Sequence, residues 1–325
     1  MKIIENIKVP TGNILIVEGE HGKLECLSLA DYGKAKNIKA DFLGFTDEIN
    51  GVPHGELLPL TEKWVITIST QYGCSMNCNY CDVPKVGPGK NATVGDLMSQ
   101  VLWAQDLHEI TDTKRLNIHF ARMGEPTFNP NVISVACMFA EGKAWTNVHP
   151  VVSTMMPRKN KNLKEFIQAW MYIKNHIYNG NAGLQLSINT TSAPQREKAF
   201  GGNACTLSEI SEIMRDIKPR GRKITLNFAL ADEYIIDPQE LLKYFNPDHY
   251  LCKITPMHET NSCVDNNIHT SEGYNLYQAY KPIEEDLKAA GYDVIVFVPS
   301  LEEDLGRITC GNAILSGSRP EIHCG

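Results

Sequence analysis

Three cysteines with the spacing C-x3-C-x2-C, Cys74, Cys78 and Cys81, follow directly on a strand-like run from Trp64 to Ser69. Three thiolates on one short loop can ligate three irons of a [4Fe–4S] cluster and leave the fourth iron without a protein ligand. An open iron is a place for chemistry. A structural zinc site asks for four ligands, usually as two C-x2-C pairs, and no second pair lies near this loop. The remaining thiols, Cys26, Cys137, Cys205, Cys252, Cys263, Cys310 and Cys324, form no regular disulfide framework.

Other residues suited to ligand binding fall after later strand-like runs. Arg122-Met-Gly124-Glu125-Pro126 offers a glycine that lets backbone approach a ligand and a carboxylate that can pair with an ammonium. Ser153 with Thr154, and then Ser187 and Asn189, place hydroxyls and an amide where they can bond a ribose or a carboxylate. Serine or threonine after a strand is also a common helix cap, so the capping reading stands beside the ligand reading. Pro256-Met257-His258 follows the sixth run, and Cys310-Gly311 follows the last. A lone histidine is more often structural, and a lone cysteine more often a small buried apolar group.

The elements that must position these residues alternate. Short β-branched runs at 64–69, 116–121, 149–153, 184–188, 224–229, 251–254 and 294–298 read as strands. Helical-period segments at 94–107, 131–142, 163–177, 207–217, 238–245 and 273–290 lie between them. This is α/β patterning, and six consecutive βα units suggest a partial (β/α)6 TIM-like barrel with its chemistry at the C-terminal strand ends. The cysteine loop lies at one of those ends. Residues 1–60, with alternating runs such as Asn13–Val17 and Lys23–Leu27 between glycines, read as a small β-rich extension. Residues 61–298 then form the barrel and 299–325 a segment that closes the site and carries Cys310.

The chain has 325 residues, 31 Lys plus Arg against 38 Asp plus Glu, and a net charge of −7. Nucleic-acid binders draw most of their affinity from neutralising phosphates, so an acidic chain needs a local basic surface to hold RNA. Arg158 with Lys159, Lys161 and Lys164, and Arg220 with Arg222 and Lys223, are the clusters available; such charge runs are commonly solvated faces. No signal peptide and no apolar run of about 18 residues is present, which predicts a cytoplasmic protein with no membrane segment, a reduced setting that suits an oxygen-sensitive cluster.

The cysteine loop, with the aromatic Tyr80 before its last cysteine, resembles the radical S-adenosylmethionine (SAM) superfamily. Further segments, in order, resemble the RlmN/Cfr type of ribosomal RNA adenine methyltransferase: Gln71-Tyr-Gly-Cys74, Met123-Gly-Glu-Pro-Thr-Phe-Asn129, Val152-Ser-Thr154, Leu186-Ser-Ile188, Cys252-Lys-Ile-Thr-Pro256 and Ile308-Thr-Cys310-Gly311. The resemblance implies a [4Fe–4S] cluster on Cys74, Cys78 and Cys81. It implies SAM bound near Tyr80, Gly124, Glu125, Ser153, Ser187, Asn189 and His258, and an electron donor such as flavodoxin or ferredoxin. It also implies that Cys310 takes a methyl group from one SAM and delivers it, after radical activation by a second, to an sp2 carbon of a purine in a nucleic acid or nucleotide.

The sequence departs from that family in four places. Its second cysteine, seven residues before the cluster motif, is here Thr67, which is neither a base at neutral pH nor able to form a disulfide. Cys324, Cys263 or Cys205 could take that part. His258 stands where the family has asparagine, and the family's basic stretch before the catalytic cysteine is here the acidic Pro299–Asp304. About 60 residues precede the first barrel strand, in place of the family's N-terminal RNA-binding domain. The alternative reading is therefore a radical SAM enzyme of another reaction class, such as an isomerase, acting on a small molecule or modified nucleoside.

Overall fold

The computed structural model describes residues 2–31, 38–43, 57–108, 112–142, 147–270, 277–299 and 301–321. Cys324, and the start of the segment read as a helix over 273–290, lie outside the described residues.

Seven parallel strands form the main body of one sheet: β5 (Trp64–Ile68), β8 (Leu116–Phe120), β9 (Val148–Thr154), β10 (Gly183–Ser187), β11 (Ile224–Leu230), β12 (Tyr250–Pro256) and β13 (Asp293–Phe297), paired in that order. They match the seven runs read from the sequence, and helices cross between them as in a partial TIM-like barrel. A parallel sheet buried on both faces reads as continuous apolar runs. Here the runs alternate instead. Ile66, Ile68, Ile118, Phe120, Leu184, Leu226, Phe228, Ile254 and Val296 point outward beneath the helices and are 0 % exposed. The intervening residues Thr67, Asn117, His119, Gln185, Asn227 and Lys253 face inward and are only half-buried. The period of two therefore records an inward face that is largely polar.

The N-terminal region adds to this sheet. An antiparallel meander of β1 (Lys2–Val9), β2 (Gly12–Gly19) and β3 (Gly22–Ala30) docks β3 antiparallel onto β5, with Cys26 opposite Ile68 and Leu27 opposite Thr67. The indole N–H of Trp64 donates to Ser28 Oγ at 3.0 Å across that seam. At the other edge β4 (Ile38–Lys39) pairs antiparallel with β13. A separate two-stranded ribbon, β6 (Gln71–Gly73) with β7 (Pro88–Asn91), brackets the cysteine loop.

Helices occupy Val94–His108, Asn131–Glu141, Leu163–Tyr172, Leu207–Met214, Pro238–Leu242 and Lys281–Ala289. The segment read as one helix to 177 changes at Ile173 into a wider π turn, Ile173–Ile177. Short helices at Ala193–Ala199 and Asn261–Asp265 have no counterpart in the sequence reading; each has fewer than eight residues, too short for a clear hydrophobic period.

Candidate active site

The cysteine loop is held from both sides. Cys74 N donates to Gly87 O at 3.0 Å, Asn79 N to Ala199 O at 3.0 Å, and Cys81 N to Cys78 O at 3.3 Å. Cys78 is buried, Cys74 and Cys81 partly so. Burial pushes the Cys74 thiol up to about 12. Burial first, and then the charges of its two neighbours, push Cys78 well above the ordinary thiol range, against a hydrogen bond from Tyr80. Cys81 is raised well above that range by burial and then by Cys74. Three thiols that raise one another need a cation to become thiolates, which an iron cluster supplies. Among the described residues no three His, Cys, Asp or Glu side chains converge as ligands of a single ion; a four-iron cluster takes one thiolate per iron and asks for no such convergence. The donor set fits a cluster.

Gln71, buried at the start of β6, joins this loop to the Gly124-Glu125 turn. Its Nε2 donates to Ser75 Oγ at 3.0 Å, Gly89 O at 2.9 Å and Asn91 Oδ1 at 2.8 Å, and its Oε1 accepts from Glu125 N at 3.0 Å. Gly124 has φ +91°, and a Cβ there would lie 2.7 Å from Gln71 N and 2.5 Å from Gln71 Cβ, so only glycine lets the two turns touch. The Glu125 carboxylate is buried and accepts from Thr127 N at 3.1 Å, Thr127 Oγ1 at 2.7 Å and Met155 N at 3.2 Å. Burial raises its pKa, opposed by hydrogen bonds from Thr154 and Thr127. Its oxygens knit β8 to β9, while Gly124 leaves its backbone near the rim.

Ser153 and Ser187 are half-buried on the inward row of β9 and β10. Asn189 is buried at φ +62°, and its Oδ1 accepts from Ala229 N at 3.2 Å, bridging the ends of β10 and β11. Arg196 supports the same rim from below. It donates to the carbonyls of Ser187 and Ile188 at 2.8 Å each, of Cys205 at 2.8 Å and of Met155 at 3.2 Å. Phe200 packs edge-on against Tyr80 with ring centroids 5.8 Å apart.

Cys310 lies beside the cysteine loop although more than 220 residues separate them. Asp82, the residue after Cys81, donates its N–H to Gly311 O at 2.9 Å. Its buried carboxylate accepts from Asn261 N at 3.1 Å, Ser262 N at 2.9 Å and Ser262 Oγ at 2.7 Å. Thr260 Oγ1 donates to Tyr80 O at 2.7 Å. From the other side, Arg122 and Glu25 form a buried pair, Nε to Oε2 at 2.9 Å. Arg122 Nη2 also donates to Arg307 O at 3.0 Å, and Glu25 Oε1 accepts from Leu315 N at 2.7 Å, so the pair grips the chain on both sides of Cys310. The Cys310 thiol is exposed to solvent yet ringed by protein, and burial raises it against the lowering charges of Lys253 and Arg122. Its own charge acts on Tyr80 and Cys81.

Two of the sequence departures meet. His258 Nδ1 lies 3.4 Å from Asp304 Oδ1, and Asp304 also accepts from Thr309 Oγ1 at 2.7 Å, so the acidic stretch, with its short helix Leu301–Leu305, braces the residue before Cys310. Of the other thiols, Cys263 is buried and its Sγ lies 3.3 Å from His258 O and 3.6 Å from Tyr80 O. Cys205 lies on the outer wall near Arg158 and Glu209. Thr67 faces His119 across the β5 and β8 register.

No family model matches the chain. It is 31 % identical over 217 residues to a dual-specificity RNA methyltransferase RlmN of Campylobacter lari, covering 65 % of this chain and 58 % of that one. RlmN of Campylobacter jejuni is 34 % identical over 192 residues, 57 % of this chain and 51 % of the relative. A radical SAM methyltransferase from Sphaerobacter thermophilus superposes with a TM-score of 0.61 at 16 % identity, over 91 % of this chain and 76 % of that one, a likeness of fold. The chain is thus similar in sequence to part of RlmN and in fold to a radical SAM methyltransferase. It spans about half the length of the RlmN relatives it matches. Among the described residues, no helix is long and apolar enough to cross a membrane.

Gln71, Asp82, Arg122, Glu25 and Arg196 were not singled out as site residues by their sequence. Gln71 and Arg122 open two of the segments quoted above, Gln71–Cys74 and Arg122–Pro126, which is a usable signal. Glu25 and Arg196 lie in unremarked segments, and only the fold brings them to the rim.

Proposed function

We propose that this protein is a radical SAM enzyme in which Cys310 carries a methyl group to an sp2 carbon of a purine. The supporting observation is the hydrogen bond from Asp82 N to Gly311 O, which brings Cys310 beside the loop of Cys74, Cys78 and Cys81. The cluster, when bound, supplies one electron, received from a donor such as flavodoxin or ferredoxin, that splits SAM into methionine and a 5′-deoxyadenosyl radical. Cys74, Cys78 and Cys81 would hold three irons and leave one for SAM, and the Gly124 backbone with the Ser153, Ser187 and Asn189 side chains would line the place where its polar groups bind. Tyr80 and Phe200 wall the loop. Cys310 would lose its thiol proton and take the methyl of one SAM as S-adenosylhomocysteine leaves, then present that methyl to the radical from a second SAM, with Arg122 and Asp82 fixing where it stands.

Thr67 favours a second reading, a radical SAM enzyme of another class acting on a small molecule. Thr67 stands in register with His119 on the neighbouring strand. Anaerobic reconstitution with SAM and a reductant, followed by mass spectrometry of protein and candidate purines, decides between them. The first reading expects 5′-deoxyadenosine together with a methylated purine, and Cys310→Ala keeping the former while losing the latter. Active enzyme with an unmethylated Cys310 would establish the second.

A further inference from the structure

The interior of the barrel carries more charge than a hydrophobic core tolerates. Asn117, His119, Gln185, Asn227 and Lys253 line a space that solvent reaches, where a closed barrel would be filled with branched aliphatic side chains. Lys63, Arg115, Arg222 and Lys253 surround that space closely enough for each to act on His119. Lys253 acts on Cys310 as well. Lys63 immediately precedes β5, Arg115 precedes β8 and Arg222 lies just before β11, so positive charge runs from the N-terminal strand ends up to the thiol on the rim.

Little within the barrel balances it. Lys63 pairs with Asp31. Arg115 Nε donates only to Asn117 Oδ1 at 3.1 Å, Arg222 Nη1 to Asn181 O at 3.3 Å, and Lys253 Nζ stands 5.0 Å from the Phe297 ring centroid. Among the described residues none of these three cations has a carboxylate partner. His149 Nδ1, on the inward row of β9, is buried with no hydrogen-bond partner. Burial, then mutual repulsion, lowers Arg222, and burial lowers Arg115 and Lys253. A cavity lined by one sign of charge focuses its field on an incoming ion of the other sign.

We propose that the barrel interior is a phosphate site, in which Arg115, Arg222 and Lys253 hold the phosphate of a free purine nucleotide whose base is turned up toward Cys310. This rests on the reading of Cys310 as methyl carrier. A free nucleotide fits better than a polynucleotide because Lys253 faces the barrel interior and Arg115 and the exposed Arg222 lie at its N-terminal end, on the side away from the rim that carries the thiol. An RNA strand would present its phosphates along the outer rim, where Arg158 is already paired with Glu197 and Glu209 and the chain as a whole is acidic.

The test is calorimetric titration of the reconstituted, SAM-saturated holoenzyme with AMP, adenosine, inorganic phosphate and a short single-stranded RNA. AMP should bind about tenfold or more tighter than adenosine, as charge-assisted bonds to a phosphate require. Inorganic phosphate should compete with AMP. Arg222→Ala and Lys253→Met should each remove about tenfold of AMP affinity and leave adenosine unchanged. Equal affinity for AMP and adenosine, which needs no variant to observe, would overturn the site, as would RNA binding tighter than AMP and indifferent to both substitutions. A phosphate preference in enzyme whose Cys310 never carries a methyl overturns the methyl-carrier reading alone.

Discussion

The cysteine loop and the Cys310 segment share one rim but are held there by different means. Cys74, Cys78 and Cys81 lie within eight residues of one another, bracketed by β6 and β7; the start of the loop is fastened locally, as by Cys74 N to Gly87 O, and its end also by Ala199, Thr260 and Ser262. The Cys310 segment depends on distant residues: Glu25 from the N-terminal meander, Arg122 from the end of β8, and Asp82 from beside the cluster loop. A local loop can keep its geometry through local spacing. A segment held by long-range polar contacts can be displaced by a change on the far side of the sheet.

The largest effect separates the two regions chemically. Cys78→Ala removes a cluster thiolate and should abolish both the brown chromophore and 5′-deoxyadenosine formation; retention of either would contradict the assignment. Next is the buried pair. Arg122→Met strands the Glu25 carboxylate, 0 % exposed, and should cost about 3–5 kcal/mol in thermal or denaturant unfolding. The same variant should lose methylated product more than 5′-deoxyadenosine, because Cys310 moves and the loop does not, and an equal loss of both would erase the distinction. Pairing it with Glu25→Gln should recover much of the stability.

A smaller effect belongs to the join between the regions. Gly124→Ala forces a side chain into left-handed backbone against Gln71 and should cost on the order of 1–3 kcal/mol, seen as weaker SAM binding at unchanged iron content. The smallest is a matter of rate. In the cluster-free protein Cys310 is the exposed thiol of the four and should alkylate first. Its pKa lies above the ordinary thiol value, so the thiolate fraction climbs about tenfold per pH unit up to that raised pKa. Labelling by iodoacetamide should therefore still be accelerating beyond pH 9, and a plateau near neutral pH would show that Lys253 and Arg122 outweigh burial.

This difference in fastening also governs what could be read in advance. The strands were legible because each is a short run rich in β-branched residues, as in Trp64–Ile68, and the cluster loop because ligand spacing on a loop is a local property. The role of Glu25 was not legible. A glutamate between Leu24 and Cys26 looks like the solvated face of an edge strand, and nothing nearby says that its partner is Arg122. Arg196 was hidden in the same way, inside a seven-residue helix whose purpose is to cap the carbonyls at the ends of β9 and β10. The pairing of His258 with Asp304 shows the converse: two residues that each looked like a lapse from the family pattern brace each other.

The central claim is that Cys310 is chemically part of the cluster site. Intact-mass and peptide mapping of the anaerobically reconstituted enzyme, after incubation with SAM and reductant, tests it most directly. The account predicts the added mass of one methyl group on the peptide containing Cys310 and none on Cys263 or Cys205. Turnover with that peptide unmodified throughout would contradict it.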